Sequence, residues 1–157
     1  MTLPYRKNVA VFILNTKHEI LTCQRDDEFS DWQLPQGGVD PGENLEQTLA
    51  RELDEEVGLT EFNIIASLPT SITYEWSLDL HSRGFRGQEQ FFYAVKPSEL
   101  TWKPNFHNHH LIEFKACKWL NLVEFINCIG DSFRSASYKT AANEFQKLIP
   151  EIYKRKT

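Results

Sequence analysis

The chain has 157 residues, 41 % hydrophobic and 25 % charged, which suits a soluble globular fold with one substantial core and excludes a disordered or fibrous chain. Its formal net charge of −5 gives a field that repels polyanions, so a phosphate-rich ligand would need local arginines, lysines or bound cations. The opening Met-Thr-Leu-Pro-Tyr-Arg-Lys has no apolar signal core and no run approaches membrane-spanning length, so the expectation is a soluble, cytoplasmic protein with no membrane association and no stable protein partner.

Asn8 to Asn15 is a nearly continuous apolar run and reads as a buried strand, followed by a turn over Thr16 to Glu19 and a second strand from Ile20 to Arg25. Gln36 to Gly42 carries three glycines and a proline, the density of an ordered loop with special backbone angles. Asn44 to Val57 reads as a helix: Leu45, Leu49, Leu53 and Val57 recur every four residues, and Gly58 ends it. Further strands are expected over Asn63 to Ser67, Ser71 to Trp76, Gln90 to Val95 and Lys115 to Leu120. A basic loop is expected over Leu80 to Gly87, and a terminal helix over Ser137 to Leu148. No repeat or linker divides the chain, so residues 1–157 are read as a single α/β domain with a helix on each face of the sheet. Cys23, Cys117 and Cys128 are odd in number and show no C-x-x-C spacing, which suits a reducing compartment and argues against a disulfide framework or a zinc site.

The chemistry concentrates in one helix. Glu52, Glu55 and Glu56 stand at i, i+3 and i+4, so about one turn gathers three carboxylates on one face, where they repel one another. Oxygen-only ligands of this kind suit Mg²⁺ or Mn²⁺, which would offset phosphate charge and activate a water. A solvated acidic face is the plain alternative for such a run taken alone. His107, His109 and His110 form a second set, read either as metal ligands or as a loop beside Glu113.

Residues Gly37 to Leu59, GGVDPGENLEQTLARELDEEVGL, fill every position of G-x₅-E-x₇-R-E-U-x-E-E-x-G-U with U aliphatic: Gly37, Glu43, Arg51, Glu52, Leu53, Glu55, Glu56, Gly58 and Leu59. By this box the chain is identified as a member of the Nudix family. The resemblance implies a Nudix-type α/β/α sandwich around a mixed β-sheet and a divalent cation, Mg²⁺ or Mn²⁺, held by Glu52, Glu55, Glu56 and Glu113 together with Gly37. It implies that Arg51 and Glu43 buttress the loop and helix, and that Glu56 or Glu113 is the base.

Trp32-Gln33-Leu34-Pro35-Gln36-Gly37-Gly38 resembles the lead-in of the branch that holds bacterial RNA pyrophosphohydrolases and dinucleoside polyphosphate hydrolases. Tyr5-Arg6-Lys7-Asn8-Val9, Gly87-Gln88-Glu89-Gln90 and Phe133 to Tyr138 are similar to three further motifs of that branch. The chain departs from them at Glu89, Phe91 and Ser135, where basic residues are usual, while Arg134, Arg83 and Arg86 offer other positive charges. The branch implies that Arg6, Arg25, Gln36 and Gln88 bind substrate and that Tyr74 stacks on a base, with a plain cross-strand aromatic as its alternative. The substrate expected first is the triphosphate 5′ end of RNA, converted to a monophosphate; the alternative is a dinucleoside polyphosphate such as diadenosine tetraphosphate. A non-catalytic nucleotide- or RNA-binding module is a rival, as is an ADP-ribose hydrolase. The latter is disfavoured because the nearby downstream proline, Pro69, falls short of the spacing usual in those enzymes.

Overall fold

The computed structural model describes residues 2–27, 31–106, 113–130 and 133–153. In chain order the elements are β1 (Tyr5–Ile13), β2 (Ile20–Arg25), β3 (Trp32–Gln33), β4 (Gln36–Gly38), α1 (Leu45–Val57), β5 (Phe62–Ser67), β6 (Ile72–Glu75), β7 (Gly87–Pro97), β8 (Phe114–Leu120), α2 (Leu122–Ile129) and α3 (Phe133–Leu148). Short 3₁₀ helices cover Leu78–Arg83 and Pro150–Tyr153.

The apolar run of β1 is explained by its position. β1 pairs in parallel with β7 over its whole length, from Tyr5 opposite Gly87 to Ile13 opposite Val95, and antiparallel with β4 on its other side. Both its faces are covered, which is what a near-continuous hydrophobic strand requires. Val9, Val11 and Ile13 pack on one face with Leu49, Leu53 and Val57 of α1. Ala10, Phe12 and Leu14 pack on the other with Phe125 of α2 and Tyr138, Ala141, Ala142 and Phe145 of α3. β5 and β6 pair antiparallel with β7 and complete the mixed sheet. A smaller antiparallel sheet, β3-β2-β8, joins its Leu21, Cys23 and Phe114 to the α1 core. The α/β/α sandwich is therefore as expected, with helices on opposite faces. Among the described residues no helix is long and apolar enough to cross a membrane.

α1 starts and stops on side-chain chemistry. Asn44 Oδ1 accepts from the Gln47 N–H at 2.8 Å, and Gln47 Oε1 accepts from the Asn44 N–H at 2.9 Å, a reciprocal cap that satisfies two otherwise unpaired donors. At the other end Gly58 takes φ 70°, and the Leu59 N–H closes onto Leu53 O at 3.0 Å.

Several elements differ from the expectation. The glycine segment is partly a strand: Asn8, Val9 and Ala10 pair with Gly38, Gly37 and Gln36. β1 and β7 both begin earlier than their apolar runs, because parallel pairing carries them out to Tyr5 and Gly87. α3 begins at Phe133 rather than Ser137. α2 was not anticipated, although Asn121 and Glu124 form the same reciprocal cap as at α1. Replacing Asn44→Ala should lower the unfolding free energy by about 1 kcal/mol, seen as a lower urea midpoint at unchanged slope; an unchanged midpoint would show that the cap contributes nothing.

Candidate active site

Next to the apolar stripe of α1 runs a second buried stripe, Thr48, Glu52 and Glu56, spaced every four residues. It faces the glycine strand β4. Space, not backbone angle, explains the glycines there. A Cβ on Gly37 would lie 1.9 Å from Glu52 Cδ, and one on Gly38 would lie 2.1 Å from Arg6 Nη2.

Arg51 ties this region together. Its guanidinium meets Glu43 in a two-pronged contact, Nε to Oε2 at 2.8 Å and Nη2 to Oε1 at 2.9 Å. It also donates to Gly38 O at 2.9 Å, to Glu52 Oε1 at 2.7 Å and to Glu55 Oε2 at 3.3 Å. Thr48 Oγ1 and the Asp40 N–H complete the shell of Glu43 at 2.9 and 3.0 Å. The guanidinium, helped by the Asp40 N–H, holds the Glu43 carboxyl down to about 2. Glu52 goes the other way: burial pushes it up to about 7 against the pull of Arg51.

Glu56 is the deepest of the set. Its Oε2 accepts from the Gln36 N–H at 3.1 Å, while Oε1 is buried without a hydrogen-bond partner. Burial, then the charges of Glu113 and Glu52, raise its pKa well above the carboxylate range. An orphaned buried carboxylate oxygen beside two further carboxylates is chemically matched to a hard divalent cation, which would satisfy the oxygen and offset the repulsion. Glu52, Glu56 and Glu113 are near enough to feel one another's charge, and they are the side chains that would have to close on such an ion. Among the described residues no three His, Cys, Asp or Glu side chains are placed so that together they could hold a metal ion. Glu55 is nearly half exposed and turned to Arg51. His107, His109 and His110 lie outside the described residues.

Glu52 and Glu113 border an open cleft of about 580 Å³, above the buried Glu56. Arg6, Arg25, Arg83 and Arg134 bring four guanidinium groups to its walls, along with Gln36, Gln88 and Gly37. These cations offset the four carboxylates of the same lining, Asp26, Asp27, Glu52 and Glu113, so the cleft carries no formal excess of negative charge despite the net charge of the chain. Arg25 is engaged by Asp27, with Nε and Nη2 both 2.6 Å from Oδ2. Arg134 donates to Gln33 Oε1 at 3.0 Å, and its Nε is buried without a partner. Arg86 turns away: it pairs with Glu75 at 2.6 Å and covers the Tyr5 ring. Tyr74 stands opposite Gln88 in the β6–β7 pair and donates to Gln88 Oε1 at 3.0 Å; it is not among the residues bordering the cleft.

The structure thus brings Arg6, Arg25, Gln36, Gly37, Glu52, Gln88 and Glu113 to one cleft with Glu56 beneath it, and leaves Glu55 and Tyr74 at its margin. Asn8, Gln90 and Ser137 fall within the quoted branch motifs but received no role from the sequence; they are buried polar groups, and Asn8 borders the cleft. The available signal was polarity within apolar strand and helix faces.

A NUDIX domain model matches residues 4–140, and the chain belongs to the Nudix family. It is 32 % identical over 154 residues to the RNA pyrophosphohydrolase of Rickettsia prowazekii (strain Madrid E), covering 95 % of this chain and 94 % of that protein. It is 34 % identical over 150 residues to the RNA pyrophosphohydrolase of Helicobacter pylori (strain P12), covering 91 % and 94 %. The fold matches that of a C. elegans Ap4A hydrolase with a TM-score of 0.72 at 20 % identity, over 92 % of this chain and 98 % of the other. The family as a whole works with divalent cations.

The raised Glu52 carboxyl sets a pH dependence for the metal-free protein. Its folded value of about 7 lies above the ordinary 4.5. The associated stability is therefore fully present below about pH 4.5 and lost as pH rises through about 7. In chelator, Tm should fall between about pH 5 and 8, and this slope should shrink in Glu52→Gln and on adding a divalent cation. A slope identical in wild type and Glu52→Gln would contradict the assignment.

Proposed function

We propose that the chain is a metal-dependent RNA 5′-pyrophosphohydrolase, which converts triphosphorylated RNA ends to monophosphorylated ones in the cytoplasm. The observation that carries the reading is the cleft itself. Four arginines border it, and a buried carboxylate with an unsatisfied oxygen lies beneath it. Such a site attracts a phosphate chain on one side and a cation on the other. Support also comes from the RNA pyrophosphohydrolases to which the chain is similar over more than nine-tenths of its length.

In this reading Mg²⁺ or Mn²⁺ would be held by Glu52, Glu56 and Glu113, by Glu55 once it exchanges Arg51 for the ion, and by Gly37 from the glycine strand. The ion supplies charge neutralisation and a more acidic water. Arg6 and Arg25 grip the phosphate chain, Arg25 by exchanging Asp27 for a phosphate oxygen. Gln36 and Gln88 add neutral contacts, and Arg51, anchored by Glu43, keeps Glu52 in place. Glu56 or Glu113 takes the proton of the attacking water as its oxygen bonds to phosphorus, and the anhydride oxygen departs with the pyrophosphate. A diadenosine polyphosphate hydrolase is the second reading. Base stacking by Tyr74 would favour it, but Tyr74 is not among the residues that border the cleft.

Offered at equal concentration, triphosphorylated RNA should be turned over faster than diadenosine tetraphosphate, in a reaction abolished by excess chelator. Preference for the dinucleotide would reverse the order of the two readings. Glu56→Gln should lose most turnover while remaining folded, since it removes one of several repelling charges; near-normal turnover in the folded variant would remove Glu56 from the mechanism. Arg6→Ala should cost about 1.5–3 kcal/mol in kcat/KM for every polyphosphate substrate, whereas an effect confined to one substrate would place Arg6 elsewhere than on the phosphate chain.

A further inference from the structure

Four segments distant in sequence meet at the buried end of one amide. Gln36 Oε1 accepts a hydrogen bond from Gln90 Nε2 at 3.2 Å and another from the Tyr138 hydroxyl. Gln90 Nε2 also donates to Asn8 Oδ1 at 2.9 Å, and Gln90 Oε1 accepts from Ser137 Oγ at 2.6 Å. Asn8, Gln90, Ser137 and Tyr138 are all buried. Burying so many polar groups is tolerable only when each is satisfied, and here each member has a partner. Burial pushes the Tyr138 phenol far above its usual range, so it remains a neutral donor at any working pH.

Of this cluster Gln36 and Asn8 border the cleft, whereas Gln90, Ser137 and Tyr138 do not. With two donors on its carbonyl oxygen, the Gln36 side chain is fixed at the inner wall of the cleft. Its main-chain N–H is the hydrogen-bond donor to Glu56 Oε2. β4 is only three residues long and pairs on one side with β1. Strand pairing alone holds such a short segment weakly, so the side-chain anchor decides how firmly the N–H is aimed.

We propose that Tyr138 and Gln90 are positioning residues for the hydrolysis: they clamp the Gln36 side chain and, through the Gln36 main-chain N–H, fix the Glu56 carboxylate. The inference rests on the reading that Glu56 takes part in the reaction. Partners of this kind, one step removed from the reacting groups, characteristically change activity or metal affinity by roughly 10–100-fold when removed.

Tyr138→Phe deletes only the hydroxyl and keeps the ring. It should lower kcat for triphosphorylated RNA by roughly 10-fold or more with little change in KM, weaken Mn²⁺ binding measured by calorimetry, and speed hydrogen exchange at the Gln36 amide while the α1 amides stay protected. In a Gln36→Leu background, which keeps the main-chain N–H and the bulk, the same substitution should produce no further loss of kcat. A wild-type kcat in folded Tyr138→Phe, or an equal loss in both backgrounds, would overturn the proposal, because a packing role does not depend on Gln36. Should Tyr138→Phe fail to fold, Ser137→Ala, which loosens Gln90, is carried through the same two backgrounds with the same criteria. Glu56→Gln run alongside separates the two readings: an active Glu56→Gln removes the premise, whereas an inactive Glu56→Gln with a normal Tyr138→Phe removes this inference alone.

Discussion

The geometry of the site depends on one guanidinium. Arg51 spans the glycine strand and α1, and five of its contacts converge on Glu43, Gly38, Glu52, Glu55 and Asp40. Two like charges about 4 Å apart repel by roughly 4 kcal/mol at the effective dielectric of a protein surface, so a face crowded with carboxylates needs a cation among them. Lysine could not replace it, since a point charge cannot bridge a bidentate carboxylate and a carbonyl together. The same guanidinium leaves Glu43 and Glu52 in opposite states. Glu43 is gripped by both prongs and held at about 2, whereas Glu52 is buried and stays near 7 despite the contact. The first therefore remains an ion that anchors Arg51. The second is poised to gain or lose a proton as positive charge arrives.

The parallel pairing of β1 with β7 supplies the floor on which this works. Its register sets Arg6 beside Gln88 and Asn8 beside Gln90. Because side chains alternate along a strand, these four positions share a face. The outer pair, Arg6 and Gln88, borders the cleft, and Gln90 lies farther in, behind Gln36. A single period-two pattern on two strands thus yields a graded surface, charged at the rim and satisfied internally at depth.

Much of this was legible in the sequence, for identifiable reasons. α1 was readable because its stripe, its cap and its closing glycine all agree. The convergence of Arg6, Arg25, Gln88 and Glu113 on the helix could be anticipated only through resemblance, since nothing local in those residues indicates that they meet. β4 was hidden because two of its three residues are glycine, which carries no strand signal. α2 was overlooked although its cap is as explicit as that of α1, because a run of eight largely apolar residues is too short to separate a helix from a buried strand. The buried Gln90 cluster could not be foreseen from spacing at all: its members come from β1, β4, β7 and α3, and the contacts among them exist only once the sheet has closed.

That closure has a temporal side. β1 finds its parallel partner only in β7, and Gln36 finds one of its two anchors only in α3, a residue separation of 102. Contacts so distant along the chain form after local ones, because the entropy of closing a long loop is met before the contact rewards it. α1, capped at both ends by its own neighbours, can fold early and present its glutamates on an incomplete surface. The Gln36 side chain gains its second anchor only when the last helix docks. During synthesis from the amino terminus, the polypeptide therefore passes through a long stage in which the acidic face exists but the groove above it does not, and the groove matures with the final strands and helix.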